Sequence, residues 1–355
     1  MPNDDEVGEN IRMIVDSARS VVPPDGDLSR IRSLRFEARG FDPSIYRTMA
    51  EMGWLALRLP DEAGGLGLGM REYCALAEVL GAGLTPEPLI SAALACRLLG
   101  CSVPKNVLAG ERVVLAAWQD GPSDLQWRRG VTLDEGTATG GKQFVPMAAG
   151  AGAFAIPTQD GVAVVDAAAA GLELDLRATQ DGGQAGQLRL SATAIELTVR
   201  PADVDAALDE ATLATAAYLL GLAGRAFEIT REYLVVRKQF GHPIGSFQAL
   251  QHRAADMKIQ IELTRASVAA AAAAFDGEAD PRMRPVRASQ AKARASETAL
   301  LVAREAIQMH GAIGYTDECD IGLYVRKAMT VANTFGTAAC HRRRYASLTS
   351  EPAAI

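Results

Sequence analysis

Three short stretches of this chain carry residue types from which chemistry could be built. Arg237-Lys238-Gln239-Phe240-Gly241 follows a long helical pattern and stops at a glycine, so the arginine reads as an exposed helix-end side chain free to pair with an anion. Gln308 and the turn Gly311-Ala312-Ile313-Gly314 follow a second such pattern, and glycines there let backbone N–H groups approach a phosphate closely. The third stretch is Asn333-Thr334-Phe335-Gly336-Thr337, a glycine turn led by an aromatic residue that cannot take a proton. The plainer alternative for the first two is an arginine that caps a helix and glycines that only turn the chain. His310 lacks partner ligands nearby and reads as an ordered helix-end histidine; no metal is expected. The five cysteines (Cys74, Cys96, Cys101, Cys319, Cys340) form no Cys-x-x-Cys pair, which supports neither a zinc site nor a disulfide framework.

Helices must position the first and last of these stretches. Ile45, Met49, Met52 and Leu55 recur on one helical face, with Asp42-Pro43 as N-cap and first-turn proline. Leu59 to Leu68, rich in proline and glycine, is a turn, and Met70 to Gly81 returns to helix with Gly81 suited to the position after its end. From Glu111 to Arg200 the pattern becomes short apolar runs: Val113 to Trp118, Ala153 to Ile156, Val162 to Val165 and Ile195 to Val199 read as strands. Gly140-Gly141 and Gly182-Gly183 read as turns between them. Long helices follow over Leu208–Arg237, Phe247–Phe275 and Val286–Met309, and the alanine run Ala269–Ala274 predicts close helix packing. The expected domains are therefore 1–110 helical, 111–202 β and 203–355 helical, an α+β chain with its element types segregated.

Composition excludes several functions. The 355 residues are 48% hydrophobic and 22% charged, as in an ordinary globular protein, and no stretch nears the roughly 20 uninterrupted apolar residues of a membrane span. A net charge of -7 argues against nucleic acid as a partner. The dense basic cluster His341-Arg342-Arg343-Arg344 reads as a solvated or dipole-compensating helix end. The acidic start MPNDDEVGEN lacks the basic and apolar regions of a secretory signal, and cytoplasmic residence is the expectation.

The runs Arg237–Met257 and Gln308–Arg326, with the Leu59–Leu68 string, resemble the acyl-CoA dehydrogenase family, flavoenzymes that oxidise acyl-CoA thioesters at Cα and Cβ. The resemblance covers essentially the whole chain. It implies an N-terminal helical domain, a middle β domain and a C-terminal four-helix bundle. It also implies that Arg237, Gln239 and Phe240 contact the diphosphate and adenosine half of an FAD bound mainly in a neighbouring subunit. Gln308, Gly311 and Gly314 would close around the same half, and Gly336 and Thr337 match the family's Gly-Thr pair.

Departures from the family are equally specific. A catalytic glutamate usually stands directly before that Gly-Thr pair, and here the position is Phe335. Members that carry the glutamate on the first C-terminal helix have it where this chain has Ala211; Glu210 is adjacent, but one step along a helix turns a side chain by about 100 degrees. An arginine that helps hold CoA in some members aligns with Thr212. In the β domain, Ala117-Trp118-Gln119-Asp120-Gly121-Pro122-Ser123-Asp124 stands where the family's flavin-ring loop should be, without its glutamate. Phe144-Val145-Pro146 puts a proline where a hydroxyl donor is expected. The resemblance thus implies a non-catalytic subunit that needs a homologous, Glu-bearing acyl-CoA dehydrogenase subunit as partner, with acyl-CoA as substrate and an electron-transferring flavoprotein as acceptor. Two rivals stay open: an active homotetramer with Glu210, Asp317 or Glu318 as an unusual base, and a flavin-dependent monooxygenase or scaffold on the same fold.

Overall fold

The computed structural model describes residues 4–23, 26–122, 125–200, 203–277 and 280–350. Helices come first: α1 (Asp4–Ala18), α2 (Ser29–Leu34), α3 (Pro43–Glu51), α4 (Met70–Ala82), α5 (Leu89–Leu99) and α6 (Lys105–Leu108). Eight strands follow: β1 (Val114–Ala116), β2 (Val131–Asp134), β3 (Thr137–Pro146), β4 (Ala153–Pro157), β5 (Val162–Asp166), β6 (Leu172–Ala178), β7 (Gln184–Ala194) and β8 (Leu197–Val199). Helix α7 (Val204–Val236) then leads to a small hairpin, β9 (Lys238–Gln239) and β10 (His242–Pro243), and to α8 (Gln248–Asp276), α9 (Met283–His310), α10 (Ile321–Val331) and α11 (Ala338–Thr349). The architecture is an N-terminal helical domain, a middle β domain and a C-terminal helical domain. Two compact units divide the chain by its contacts: residues 29–69 with 86–211, and residues 1–28 with 70–85 and 212–355.

The unit that holds the strands contains two four-stranded sheets, ordered β1-β4-β5-β8 and β2-β3-β7-β6. In the first, β1 runs parallel to β4 while the other pairs are antiparallel; β1 and β4 are buried on both faces, which is why they read as unbroken apolar runs. The second sheet is antiparallel throughout, and β7 alternates buried and exposed positions from Gln184 to Ser191. Its four strands escape detection as apolar runs because polar and glycine residues interrupt them. Gly140-Gly141, expected as a turn, lies instead inside β3 at a register shift. A Cβ on Gly140 would sit 2.1 Å from the Gly130 carbonyl oxygen, so the glycine admits a bulge and a close backbone approach. Gly182 does turn the chain between β6 and β7, at φ +84. In the same unit Asp42 caps α3 as expected, its carboxylate accepting from the Ser44 N–H at 2.8 Å.

In the other unit, α9 packs against α8, α10 and α11, and α4 packs against α1 and α8. Asp276, at the end of α8, caps the start of α4 by accepting from the Met70 and Arg71 N–H groups at 2.5 and 2.9 Å. Gly81 does not follow α4 but lies within it. A Cβ there would come within 1.9 Å of the Tyr218 carbonyl oxygen, and one on Gly221 within 1.8 Å of the Glu78 carbonyl oxygen, so the paired glycines let α4 and α7 cross backbone to backbone. The alanine run of α8 buries only part of its length: Ala271 and Ala272 are buried while Ala269, Ala270 and Ala273 face solvent. The cluster at 341–344 also differs from expectation. It lies in the N-terminal half of α11, where cations oppose the helix dipole, and His341 is buried, Arg342 pairs with Glu297, and Arg344 donates to Ser289 Oγ at 3.4 Å on α9.

Candidate cofactor contacts and the base position

The end of α7 is built to display side chains. The helix stops at Val236, five residues earlier than Gly241, and the Ile244 N–H donates to the Arg237 carbonyl at 2.8 Å to fold the hairpin back on the helix end. Phe240 and Gly241 form a two-residue hairpin loop with positive φ at both positions (+53 and +83), a conformation glycine takes freely and phenylalanine does not. The consequence is that Phe240 stands 89% exposed, edge-on to Phe247 at 6.2 Å. Arg237 and Gln239 are also exposed. Among the described residues the Arg237 guanidinium makes no ion pair or side-chain hydrogen bond, while the Gln239 amide donates only to the neighbouring Lys238 carbonyl at 2.9 Å.

The end of α9 joins this face. Tyr233, one turn before Arg237, stacks on the His310 ring with centroids 4.3 Å apart. His310 Nδ1 lies 2.8 Å from the Ala306 carbonyl oxygen, and burial lowers its pKa below the ordinary value. The histidine is thus a packed helix-end residue, and no cluster of metal-ligating side chains occurs among the described residues. Gln308 is exposed, Gly311 turns the chain at φ +68, and Gly314 is packed against Ile307 and His310. The structure therefore brings Arg237, Gln239, Phe240, Gln308, Gly311 and Gly314 to one end of this unit.

Gly336 and Thr337 belong to a different cluster, around the base position. Phe335 is only 4% exposed and adopts φ +55; its carbonyl oxygen lies 2.7 Å from His341 Nε2. Thr337 caps α11 by accepting from the Cys340 N–H at 3.2 Å. Beneath the turn, Lys292 of α9 is fully buried and donates to Ser296 Oγ and to the carbonyl oxygens of Ala332 and Gly336, each at 2.9 Å. Burial pushes the Lys292 ammonium down to about 7. Burial, with the Lys292 charge adding to it, pushes the His341 imidazole down to about 3. The side chains bonded to this turn include Lys292, Ser296 and His341, with Thr337 capping the helix after it. Lys292 carries no signal in the sequence, and His341 is read there only as part of a solvated basic run, because nothing in their own spacing marks a buried lysine on α9 or a buried histidine in α11.

The alternative carboxylates are placed elsewhere. Glu210 is buried and held on both oxygens: Arg58 Nη2 lies 3.3 Å from Oε1, and Arg97 Nε lies 3.2 Å from Oε2. Ala211 and Thr212 beside it are buried too. Asp317 and Glu318 are exposed, Asp317 paired with Arg326 at 3.2 Å.

In the β domain, the stretch that replaces the flavin-ring loop is tied to its own sheet. Ser123 and Asp124 lie outside the described residues. Asp120 accepts from the Arg129 N–H at 2.9 Å and from Lys142 Nζ at 2.6 Å, and the same fully buried ammonium donates to the Trp118 and Trp127 carbonyls at 3.1 and 2.6 Å. Phe144 sits half exposed at φ +58, beside the register shift between Lys142 and Val145. The residues at the end of α7 and α9 thus fit the diphosphate and adenosine half of a flavin dinucleotide: an unpaired guanidinium, an amide and an aromatic face, all outward. Among the described residues of the β-domain stretch, Asp120 and Lys142 are engaged with each other and with backbone, and Pro146 has no N–H to donate to a ring.

Comparison with known proteins identifies the class. Residues 8–101 match the acyl-CoA dehydrogenase N-terminal domain and residues 203–347 the acyl-CoA dehydrogenase C-terminal domain. The chain belongs to the acyl-CoA dehydrogenase family, FAD-dependent oxidoreductases acting on CH–CH bonds. It is 31% identical over 328 residues to acyl-CoA dehydrogenase IpdE2 of Mycobacterium tuberculosis, covering 90% of this chain and 91% of that protein. Among solved structures, a variant of the steroid ACAD Tcur3481–Tcur3483 superimposes with TM-score 0.84 at 31% identity, over 96% of this chain and 98% of that one. The ChsE4–ChsE5 complex from M. tuberculosis gives TM-score 0.83 at 26% identity over 99% of each chain. No helix among the described residues is long and apolar enough to cross a membrane.

Proposed function

We propose that this chain is the non-catalytic half of a hetero-oligomeric acyl-CoA dehydrogenase, paired with a homologous subunit that supplies the catalytic glutamate and the flavin-ring site. The observation that carries the reading is Phe335: at the family's base position stands a buried phenyl group whose turn is bonded by a lysine, a histidine and a threonine, none of them a carboxylate. Removal of a Cα proton needs a base at hydrogen-bonding reach, and geometry precedes pKa in deciding whether one exists. The rival base Glu210 has both carboxylate oxygens engaged by Arg58 and Arg97, which suits a structural ion pair.

The retained features support a share in a neighbour's cofactor. Arg237 would pair with the FAD diphosphate, Gln239, Phe240 and Gln308 would meet the adenosine half, and the Gly311 turn would bring backbone N–H groups to the same half. Gly336 and Thr337 match the family's Gly-Thr pair and are read with them. When bound, FAD supplies the oxidant for the Cα–Cβ bond; this chain's part is to hold the dinucleotide. A bulky acyl-CoA, of the kind a steroid side chain would give, is the proposed substrate class, supported by the steroid ACAD among the similar structures. An electron-transferring flavoprotein is the proposed acceptor by family analogy. The test is co-expression with a Glu-bearing family subunit. The lone chain should purify with little flavin and the complex with bound FAD and acyl-CoA-dependent dye reduction; close to one tightly bound flavin per lone chain would overturn the reading.

A further inference from the structure

Three carbonyl groups of one turn are held by side chains that do not belong to it. Lys292 Nζ donates at 2.9 Å to the carbonyls of Ala332 and Gly336, and His341 Nε2 meets the carbonyl of Phe335 at 2.7 Å. Ser296, one turn after Lys292 on α9, accepts the third Lys292 bond at 2.9 Å, and its hydroxyl donates to the Ala332 carbonyl at 3.1 Å. An ammonium has three donors, and here it finds three oxygen acceptors. With the ammonium removed, the Ala332 and Gly336 carbonyls would both lose this donor. The turn itself is strained, with positive φ at Phe335 (+55) and Gly336 (+96), and a non-glycine residue holds such a conformation only where its surroundings impose it.

We propose that Lys292 is the positioning residue of the 332–337 turn: its three-way bonding from α9 fixes the backbone at the base position and the presentation of Gly336 and Thr337, whatever side chain stands at 335. What Gly336 and Thr337 present to a cofactor rests on the shared-FAD reading above, but the clamp does not. Among the described residues, the groups that act electrically on Lys292 are Cys340 and His341 of α11; α10 offers only the Ala332 carbonyl, and α9 only Ser296.

Hydrogen–deuterium exchange of the full chain, corrected for intrinsic rates, tests this. Lys292→Met should speed exchange of the amides between Asn333 and His341 by about tenfold or more, the equivalent of one lost buried hydrogen bond, while those of the Lys238–Ile244 hairpin keep wild-type protection. Ser296→Ala should give a smaller effect at the same amides. Unchanged turn exchange in Lys292→Met, or acceleration spread evenly over α8 to α11, would overturn the proposal. Should that variant not fold, Ser296→Ala decides: turn exchange unchanged in Ser296→Ala also overturns the proposal.

Discussion

Phe335 raises the question whether one substitution could return this chain to catalysis. A glutamate there would stand on a turn already fixed through its carbonyls, so its backbone position needs no repair. Its chemistry would still lack the ring site, because Lys142 and the backbone of its own sheet consume Asp120, and Pro146 offers no hydrogen. Misplacement of a reacting group by about 1 Å can cost on the order of a hundredfold. Phe335→Glu is therefore expected to leave acyl-CoA-dependent dye reduction by the lone chain near background, and family-like rates in that single variant would show that the β domain does hold a flavin ring. The expected departure at 335 rests on the Gly-Thr pair after it, which sets the register in the sequence. The engagement of Glu210 was not legible there, since Arg58 and Arg97 lie far from it along the chain and meet it only through the fold.

At the scale of elements, α9 and α11 are coupled through two buried basic groups, and their protonation sets a sign for stability. His341 has its pKa lowered from 6.5 to about 3, so between those values the unfolded chain binds a proton that the folded chain refuses. Its contribution to stability is complete above about pH 6.5 and is lost as the pH falls towards about 3. Lys292, lowered from 10.5 to about 7, acts in the same direction over a higher window: stability rises with pH from about 7 to 10.5. Each group can add a slope of up to about 1.4 kcal/mol per pH unit inside its window. His341→Gln should flatten the acid limb of a urea-midpoint profile between pH 6.5 and 3 and leave the alkaline limb alone; an unchanged acid slope would mean the imidazole is not buried as described. Legibility at this scale followed hydrophobic pattern. The long helices and the apolar strands β4 and β5 announce themselves, because burial on all sides demands continuous apolar residues. The strands β2, β3, β6 and β7 do not, since β2, β3 and β7 bury only scattered positions, β6 buries none, and β3 carries a buried lysine and two glycines. The crossing of α4 and α7 was likewise hidden: Gly81 and Gly221 each look like an isolated glycine until the fold brings each against the other helix's backbone.

For the molecule as a whole, the decisive asymmetry is between an outward face that is furnished and an inner chemistry that is not. At the end of α7 a guanidinium with no partner among the described residues, an amide and a nearly fully exposed phenyl ring stand together, and a lone subunit gains no stability from such an arrangement. In the proposed complex Arg237 meets the diphosphate of an FAD held chiefly by the partner, and its planar fork matches phosphate oxygens in a way lysine does not. Loss of a charge-assisted hydrogen bond costs about 1.5–3 kcal/mol, so Arg237→Ala should weaken FAD binding to the complex by roughly ten- to a hundredfold. Arg237→Lys should recover part of that loss through charge alone. Neither change touches the partner's base, so turnover per bound flavin should hold while flavin retention after gel filtration falls. Equal retention by wild-type and Arg237→Ala complexes, made with the same partner, would reduce Arg237 to a helix-end residue. Lower turnover per flavin at unchanged retention would instead place this face at the reacting bond, and the division of labour between the two subunits would have to be redrawn.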